Sequence, residues 1–308
     1  MNSLTKVMIS PHIHSGKSTS GIMRDVLISL LPAAIAGTVI FGWRALLVIA
    51  VCVITSVGFE AIFNLIVKKE QTIGDLSAAV TGLLLALNLP SDIPLWQCVV
   101  GSLFAIIIVK CLFGGIGSNL VNPAITARVF MLVAFGSMAL PSFPVDSVSS
   151  ATPLSAETMP SLLDLFLGNH GGAIGETCTV ALLVGGVYLL VRRVISWHIP
   201  VVFIATVFIF SLFMEGFDAV SALSLIMSGG VFIGAIFMAT DYTTSPYTPW
   251  GKVIFAVGAG LLTCLIRYFG TYPEGVSFAI LFMNILNPYI CKWTRRKVFT
   301  AGGKTNEK

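Results

Sequence analysis

Long apolar runs separated by short polar segments dominate the chain. A helix needs about 20 mostly apolar residues to cross a bilayer. Two segments are weaker than the rest: 77–90 is short and ends in proline, and 221–239 is interrupted by glycines. Counting both, the pattern predicts ten transmembrane helices with both termini on the same side. The stronger runs are residues 25–42, 45–66, 94–112, 123–140, 177–191, 199–214, 252–267 and 275–290.

The composition also indicates a polytopic membrane protein. Of the 308 residues, 56% are hydrophobic and only 10% are charged, with a mean hydropathy of +0.93. A soluble domain carries about 25% charged residues. The net charge of +4 offers no large basic field, which excludes nucleic-acid binding as a main role.

Cysteine and histidine positions do not follow a metal-binding pattern. The six cysteines are scattered singly, without a Cys-x-x-Cys pair, and the four histidines lack helical metal spacing. Iron–sulfur and structural zinc sites need clustered ligands. No glycine fingerprint of a dinucleotide-binding fold is visible either. We therefore expect no metal, iron–sulfur or NAD site in this chain.

The basic residues predict the orientation. With the N terminus in the cytoplasm, 15 of the 18 Lys and Arg residues fall on cytoplasmic segments or helix ends. Only Arg44 and Arg267 lie outside, and Arg128 lies within a helix. Membrane proteins keep their positive charges on the cytoplasmic side. Because omitting one weak segment would invert every later loop, the charges favour ten spans.

The two weak segments occupy matching places, each as the third span of a five-span half. Gly82–Trp96 also resembles Gly234–Trp250. Broken helices in corresponding positions of inverted halves are typical of transport proteins with a midplane site; alternatively, the glycines only allow close helix packing.

The fold class that follows is an all-α polytopic membrane protein. It has ten transmembrane helices in two inverted five-helix repeats with broken third helices. The predicted order is a cytoplasmic N-terminal segment (1–24), a first repeat (25–140), an external loop (141–176), a second repeat (177–290) and a cytoplasmic tail (291–308).

The external loop contains four carboxylates and no Lys or Arg. Within it, the stretch from Asp146 to Thr152 is dense in hydroxyls and small residues. Composition alone favours a solvated loop, in which a serine caps a helix that starts near Pro153.

Polar residues also occur at the cytoplasmic membrane boundary. Asp241 follows the broken segment beside several hydroxyls, a setting that suits a hard cation, a proton or a polar ligand; alternatively, it only turns the end of a helix. Asn119 and Asn122 are three residues apart, so their amides can face a planar heterocycle together. Alternatively, Asn122 caps the helix that begins at Pro123.

Two ionisable residues, Glu60 and Arg128, lie inside apparent spans. An ionised side chain in a membrane is costly unless it is paired. We expect these residues either to form structural ion pairs or to line an ion path.

Several motifs resemble one known family. The stretch Asp146-x-x-Ser149-Ser150-Ala151-Thr152 fits the D-x-x-[ST]-[SG]-A-T motif at which a flavin transferase attaches FMN to threonine. With the inverted layout, the chain resembles the family of membrane subunits that includes RnfD of the Rnf complex and NqrB of the sodium-pumping NADH:quinone reductase. The lack of a long N-terminal extension favours the RnfD branch. Also similar are Asn122-Pro-Ala, Met238-Ala-Thr-Asp241, Thr244-Ser-Pro, Tyr272-Pro-Glu-Gly275, Asn284 and Asn287-Pro288.

The resemblance implies covalent FMN, transferred from FAD and held by a phosphoester to Thr152. Ser149 belongs to the attachment motif, and the small residues Ser150 and Ala151 would let the transferase approach. Asp146 would help the transferase to recognise the segment.

The resemblance further implies a second, noncovalent flavin, riboflavin, near the cytoplasmic side. Asn119, Asn122 and Asp241 are the expected contacts for it, and no catalytic side chain is expected.

The implied activity is that of a translocase-type oxidoreductase. Electrons would pass between ferredoxin and NAD through the other Rnf subunits while Na⁺ or H⁺ crosses a bacterial or archaeal cytoplasmic membrane. The alternative is a secondary transporter or channel without redox chemistry, which inverted repeats and broken helices would suit equally well.

Overall fold

The computed structural model describes residues 18–135, 143, 161–270 and 275–295. These residues form helices joined by short loops, and no β-strand occurs among them. The protein is therefore an all-helical membrane protein, as its hydrophobic pattern predicts. The motif from Asp146 to Thr152 lies outside the described residues.

Helices occur at all ten predicted segments. The first part of the chain contains α1 (Thr19–Phe41), α2 (Trp43–Val67), a 3₁₀ turn (Ile73–Asp75), α3 (Ser77–Leu87), α4 (Leu95–Leu103) with a π-helical continuation (Phe104–Cys111), and α5 (Pro123–Ala134). The segment predicted as the external loop (141–176) contains α6 (Leu162–Leu167) among its described residues. The second part contains α7 (Thr179–Val191), α8 (His198–Met214), α9 (Ala219–Met227), α10 (Val231–Ile233) with a π-helical continuation (Gly234–Met238), α11 (Pro249–Phe269) and α12 (Val276–Thr294).

Fewer helices than ten are long enough to cross a membrane alone. Among the described residues, α1, α2, α11 and α12 have the necessary length and apolar composition. A fifth candidate is formed by α9 together with the helical stretch Val231–Met238, and the chain bends by 67° between the two. Because the other apolar helices have only 10–17 residues, helix length supports four or five crossings.

Helix α3 is short because protein surrounds it. All but one of its eleven residues are buried, and so are residues 88–91 that follow. Irregular backbone at membrane depth is tolerated only where protein or water satisfies its polar groups. Here Gly175 N donates to Leu87 O (2.7 Å) and Ile174 N to Leu89 O (3.1 Å). The end of the external loop thus satisfies the end of α3.

The predicted break in the second half is present between α9 and α10. Gly229 adopts a φ of 68°, which glycine tolerates better than other residues. Arg267 of α11 donates to the carbonyls of Leu225 (2.7 Å) and Ser228 (3.0 Å) at this point. These carbonyls lie at a helix end, where no backbone N–H of the same helix is left to donate to them. Arg267 therefore stabilises the break.

The two parts of the chain pack in similar ways. Helix α2 contacts α3 and α4, as α8 contacts α9 and α11; α4 contacts α5, as α11 contacts α12. Across the two parts, α1 packs on α7 and α5 packs on α12. At Gly185 of α7, an added Cβ would lie 2.1 Å from the Ser29 carbonyl oxygen of α1. Helices α1 and α7 therefore meet backbone to backbone.

Candidate functional site

A cavity lies between the two parts of the chain, at the end where α1, α3 and α5 begin and α7 ends. Its volume is about 100 Å³, and it is partly open to solvent. Apolar side chains from α1, α3 and α7 form most of its wall, and the loops before α5 and after Met238 form a polar side. Its polar lining includes Lys110, Asn119, Asn122, Thr240, Asp241 and Thr243.

The structure brings together the three residues that were predicted to contact a noncovalent ligand. Asn119 and Asn122 belong to the loop before α5, and Asp241 follows the π-helical continuation of α10, yet all three line this cavity. Asn122 Nδ2 donates to the Met238 carbonyl (3.3 Å) and so joins the two loops directly.

Asn122 caps α5. Its Oδ1 accepts from the backbone N–H groups of Ala124 (3.0 Å) and Ile125 (3.3 Å), and proline occupies the first helical position. This is the arrangement of an N-cap residue. Because both ends of its amide are bonded within the protein, Asn122 shapes the cavity wall and has little capacity left for a ligand.

Asn119 has an unmet acceptor. Its Oδ1 is buried and has no hydrogen-bond partner among the described residues. A buried polar atom without a partner costs free energy. A ligand with an N–H donor at its edge would satisfy this atom.

Asp241 bonds to the turn that follows it. Its carboxylate accepts from the Thr243 N–H (3.3 Å) and from the hydroxyls of Thr243 (2.9 Å) and Thr244 (3.2 Å). Burial raises the pKa of the Asp241 carboxyl, and these hydrogen bonds offset only part of that rise. Asp241 therefore holds a proton more readily than an ordinary aspartate, beside the cavity.

Asn284 of α12 completes the polar framework behind the cavity. With its amide oriented to match its neighbours, Asn284 donates to the Thr244 carbonyl (3.3 Å) and accepts from the Asn122 N–H (3.2 Å). The sequence motifs include Asn284 but assign it no contact, because its neighbours come from two distant loops.

Lys110 is a cavity residue that the sequence does not single out. Its side chain is buried, and its ammonium donates to Glu60 Oε1 (2.8 Å) and Ser77 Oγ (2.6 Å). Glu60 also accepts from the Thr72 hydroxyl (2.9 Å). The hydrophobic pattern predicts that Lys110 lies at a helix end, where a lysine needs no partner, so the sequence contains no signal of this pair. Glu60 forms the ion pair that was one of its two expected roles.

Arg128 also forms an ion pair, with Glu176 at the end of the external loop. Arg128 Nη1 lies 2.5 Å from Glu176 Oε1 and 2.5 Å from Asn88 Oδ1. All three residues are buried. Glu60 and Arg128 are thus each paired with a partner on another segment.

The arrangement determines which ligands the cavity suits. No group of three or more His, Cys, Asp or Glu side chains that could hold a metal ion occurs within residues 18–135, 161–270 and 275–295. The cavity has apolar walls, and its polar groups include the Asn119 side-chain oxygen, the Lys110 ammonium and the Asp241 carboxyl group. This combination suits a planar ligand with apolar faces and a polar edge.

Comparison with known proteins identifies similar chains along nearly the whole length. The profile of the NQR2, RnfD, RnfE family matches residues 6–300. The chain is 48% identical to the D subunit of the Na(+)-translocating ferredoxin:NAD(+) oxidoreductase complex of Acetobacterium woodii, over 97% of this chain and 96% of that protein. It is 42% identical to the D subunit of the proton-translocating ferredoxin:NAD(+) oxidoreductase complex of Clostridium ljungdahlii, over 93% of each. Identity to the D subunit of the ion-translocating oxidoreductase complex of Halorhodospira halophila is 34%, over 96% of each.

Proposed function

Because the chain belongs to the NQR2, RnfD, RnfE family, we propose that it is the D subunit of an Rnf-type ion-translocating ferredoxin:NAD oxidoreductase. The 48% identity to a D subunit of such a complex, over nearly all of both chains, carries the proposal. Ferredoxin and NAD would react at partner subunits, since this sequence has neither a cysteine cluster nor a dinucleotide fingerprint. This chain would contribute flavins and part of the ion path.

The coupling ion is Na⁺ or H⁺ in this proposal. One relative is named for sodium translocation and another for proton translocation. Asp241, a carboxylate beside the cavity, is compatible with either ion.

Thr152 is the proposed attachment site of FMN. Its hydroxyl oxygen would take the FMN phosphoryl group from FAD, with AMP as the leaving group, and form a phosphoester. The complete motif from Asp146 to Thr152 supports this assignment. The small residues Ser150 and Ala151 would let the transferase approach.

Mass spectrometry of the protein as purified from its complex tests the attachment. The wild-type peptide that contains Thr152 should carry one FMN, and the peptide of a Thr152→Val variant should carry none, because valine lacks the oxygen that forms the ester. A Ser147→Ala variant, which removes a nearby hydroxyl at a position where the motif accepts any residue, should keep the flavin. An FMN adduct that persists in Thr152→Val would contradict the assignment.

The cavity is the proposed site of riboflavin, and its residues fit a flavin ring. Asn119 Oδ1 would accept the ring's N–H, and Lys110 would favour the negative charge that reduction adds. Asp241, which lines the cavity and holds a proton more readily than an ordinary aspartate, would serve as a proton donor there. A bound flavin would supply one- and two-electron chemistry, while the apolar walls exclude water.

Flavin content tests the cavity assignment. Asn119→Ala and Asp241→Asn should each lower the riboflavin that acid releases from the purified protein, while the in-gel fluorescence of covalent FMN stays unchanged. Asn169→Ala, an exposed position remote from the cavity, should match the wild type. Full riboflavin content in both cavity variants would count against the site.

The membrane arrangement that we propose has ten passages in two inverted halves, with both termini in the cytoplasm. Matching helix contacts in the two halves support it. The cavity gives further support, since it gathers the first turns of α1, α3 and α5 and the last turn of α7 at one end. The Thr152 loop would then lie on the outer face, opposite the cavity.

A further inference from the structure

The Arg128–Glu176 pair lies about one helical turn deeper in the protein than the cavity, counted along both α3 and α5. Leu84 of α3 and Ala124 of α5 line the cavity, and Asn88 and Arg128 follow them by four residues. A four-residue step advances about one turn along a helix. Because α3 and α5 both start at the cavity end, the pair lies deeper in the protein, between the cavity and the external loop.

The break between α9 and α10 lies directly against this pair. A Cβ added to Gly230, the residue before α10, would lie 2.7 Å from Glu176 Oε1 and 3.5 Å from Arg128 Nη1. The pair therefore joins α3 and α5 from the first half to the end of the external loop and the broken helix of the second half.

The two charges are held differently. Arg128 projects from the middle of α5 and also bonds to Asn88, whose own Nδ2 is fixed to the Leu84 carbonyl (2.6 Å). The carbonyl end of α3 favours the guanidinium there. Glu176 lies on a loop that precedes α7, so it can move with less disturbance of helix packing.

We propose that the Arg128–Glu176 pair is the gate that closes the ion path between the cavity and the outer face. This inference rests on the proposed ion translocation. In the closed state the pair fills the passage, and separating two buried charges is costly enough to keep it closed. In the open state Glu176 leaves Arg128, and its carboxylate faces the passing cation.

The position of Glu176 connects this gate to the outer loop. Glu176 ends the same loop that contains Thr152, and the N–H groups of Ile174 and Gly175 are bonded to the end of α3. A displacement of Ile174 and Gly175 would therefore reach the adjacent Glu176 and its ion pair. The gate would open when these two residues release the end of α3.

The test uses the whole complex in liposomes and measures two quantities. The first is passive flux of Na⁺ and H⁺ under an imposed gradient without redox substrates. The second is the number of ions moved per electron during ferredoxin-dependent NAD reduction. The variants are Glu176→Gln, Arg128→Met and the double variant Arg128→Met with Glu176→Leu. Arg44→Gln is the control, because it breaks the exposed Arg44–Asp92 pair (4.0 Å) instead.

Each single variant should raise passive flux by about tenfold or more, because the closed state loses the interaction that favours it. Electron transfer should continue with fewer ions moved per electron. The apolar double variant should be as tight as the wild type yet fail to move ions, because no carboxylate remains to open the passage. The control should match the wild type in both quantities.

If both single variants show the passive flux and the ion-to-electron ratio of the wild type, the proposed gate is wrong and the pair is a structural contact only. If the single variants fail to assemble, the double variant decides, because apolar pairs often replace buried ion pairs without loss of stability. Active transport at the wild-type ratio in the double variant would also overturn the gate. A wild-type complex that reduces NAD without moving ions would instead contradict the proposed function.

Discussion

At the scale of single residues, the costliest groups in this protein are the buried charges. Lys110 and Glu60 are almost completely removed from solvent and form an ion pair, with 2.8 Å between Lys110 Nζ and Glu60 Oε1. Removing one member of such a pair is far more harmful than removing both, because the remaining charge stays buried without a partner.

Lys110→Met should lower the free energy of unfolding by about 3–5 kcal/mol, the usual cost of an uncompensated buried charge. Combining it with Glu60→Leu should restore most of the loss. Thermal unfolding of the purified protein in detergent measures both effects. Arg44→Gln is the control for an exposed pair and should change the free energy of unfolding by about 1 kcal/mol at most. A double variant no more stable than Lys110→Met would show that the pair does not explain the loss.

His170, in the external loop between α6 and α7, predicts a dependence of stability on pH. Burial lowers its pKa to about 4, although Asp164 opposes the shift, whereas an unfolded histidine has a pKa of 6.5. The unfolded state alone gains a proton between these values, so this contribution to stability is complete above pH 6.5 and is lost as pH falls towards 4. Relative to a His170→Gln variant, the wild type should lose about 3 kcal/mol over that interval. Equal pH profiles of unfolding would contradict the buried, neutral histidine.

The sequence singles out some of the residues that line the cavity and misses other buried charges for a physical reason. Asn119, Asn122 and Asp241 stand out because polar groups at a membrane boundary need an explanation. Lys110 and Glu176 occupy places where charge is ordinary, a helix end and an external loop. Their burial depends on contacts with distant segments, which no local pattern contains.

At the scale of helices, positions follow from the hydrophobic pattern but lengths do not. All ten apolar segments coincide with helices. Pattern alone does not reveal that α3 ends at Leu87, because the backbone beyond it is satisfied by the external loop. The glycine-rich break was predictable, since positive φ at Gly229 needs a residue without a side chain.

The contact between α1 and α7 gives a prediction about glycine. Gly185→Ala should destabilise the protein by about 1–3 kcal/mol, because its Cβ would clash with the Ser29 carbonyl and force the helices apart. Gly58→Ala on α2, where an added Cβ meets nothing within 4 Å, should be neutral or stabilising by up to about 1 kcal/mol. Melting temperatures in detergent compare the two. Equal effects would mean that α1 and α7 do not approach as closely as described.

At the scale of the whole molecule, the proposed topology places the cavity and the Thr152 loop on opposite faces of the membrane. Reporter fusions after Lys69, Arg193 and Lys292 should report the cytoplasm. Fusions near Thr152 and Glu215 should report the outside, since positive charges concentrate on the other face. A cytoplasmic signal at Thr152 would mean that the second half has the opposite orientation, which contradicts the ten-passage arrangement.

We propose that this chain couples electron transfer to ion movement, and a reconstitution of the complex tests this coupling. Liposomes containing the purified complex should accumulate Na⁺ or H⁺ when reduced ferredoxin and NAD are supplied together, and should accumulate neither when either substrate is omitted. A complex assembled without this chain should lose the accumulation. Ion or solute movement by this chain alone, with no dependence on ferredoxin or NAD, would contradict redox coupling and indicate a transporter without redox chemistry.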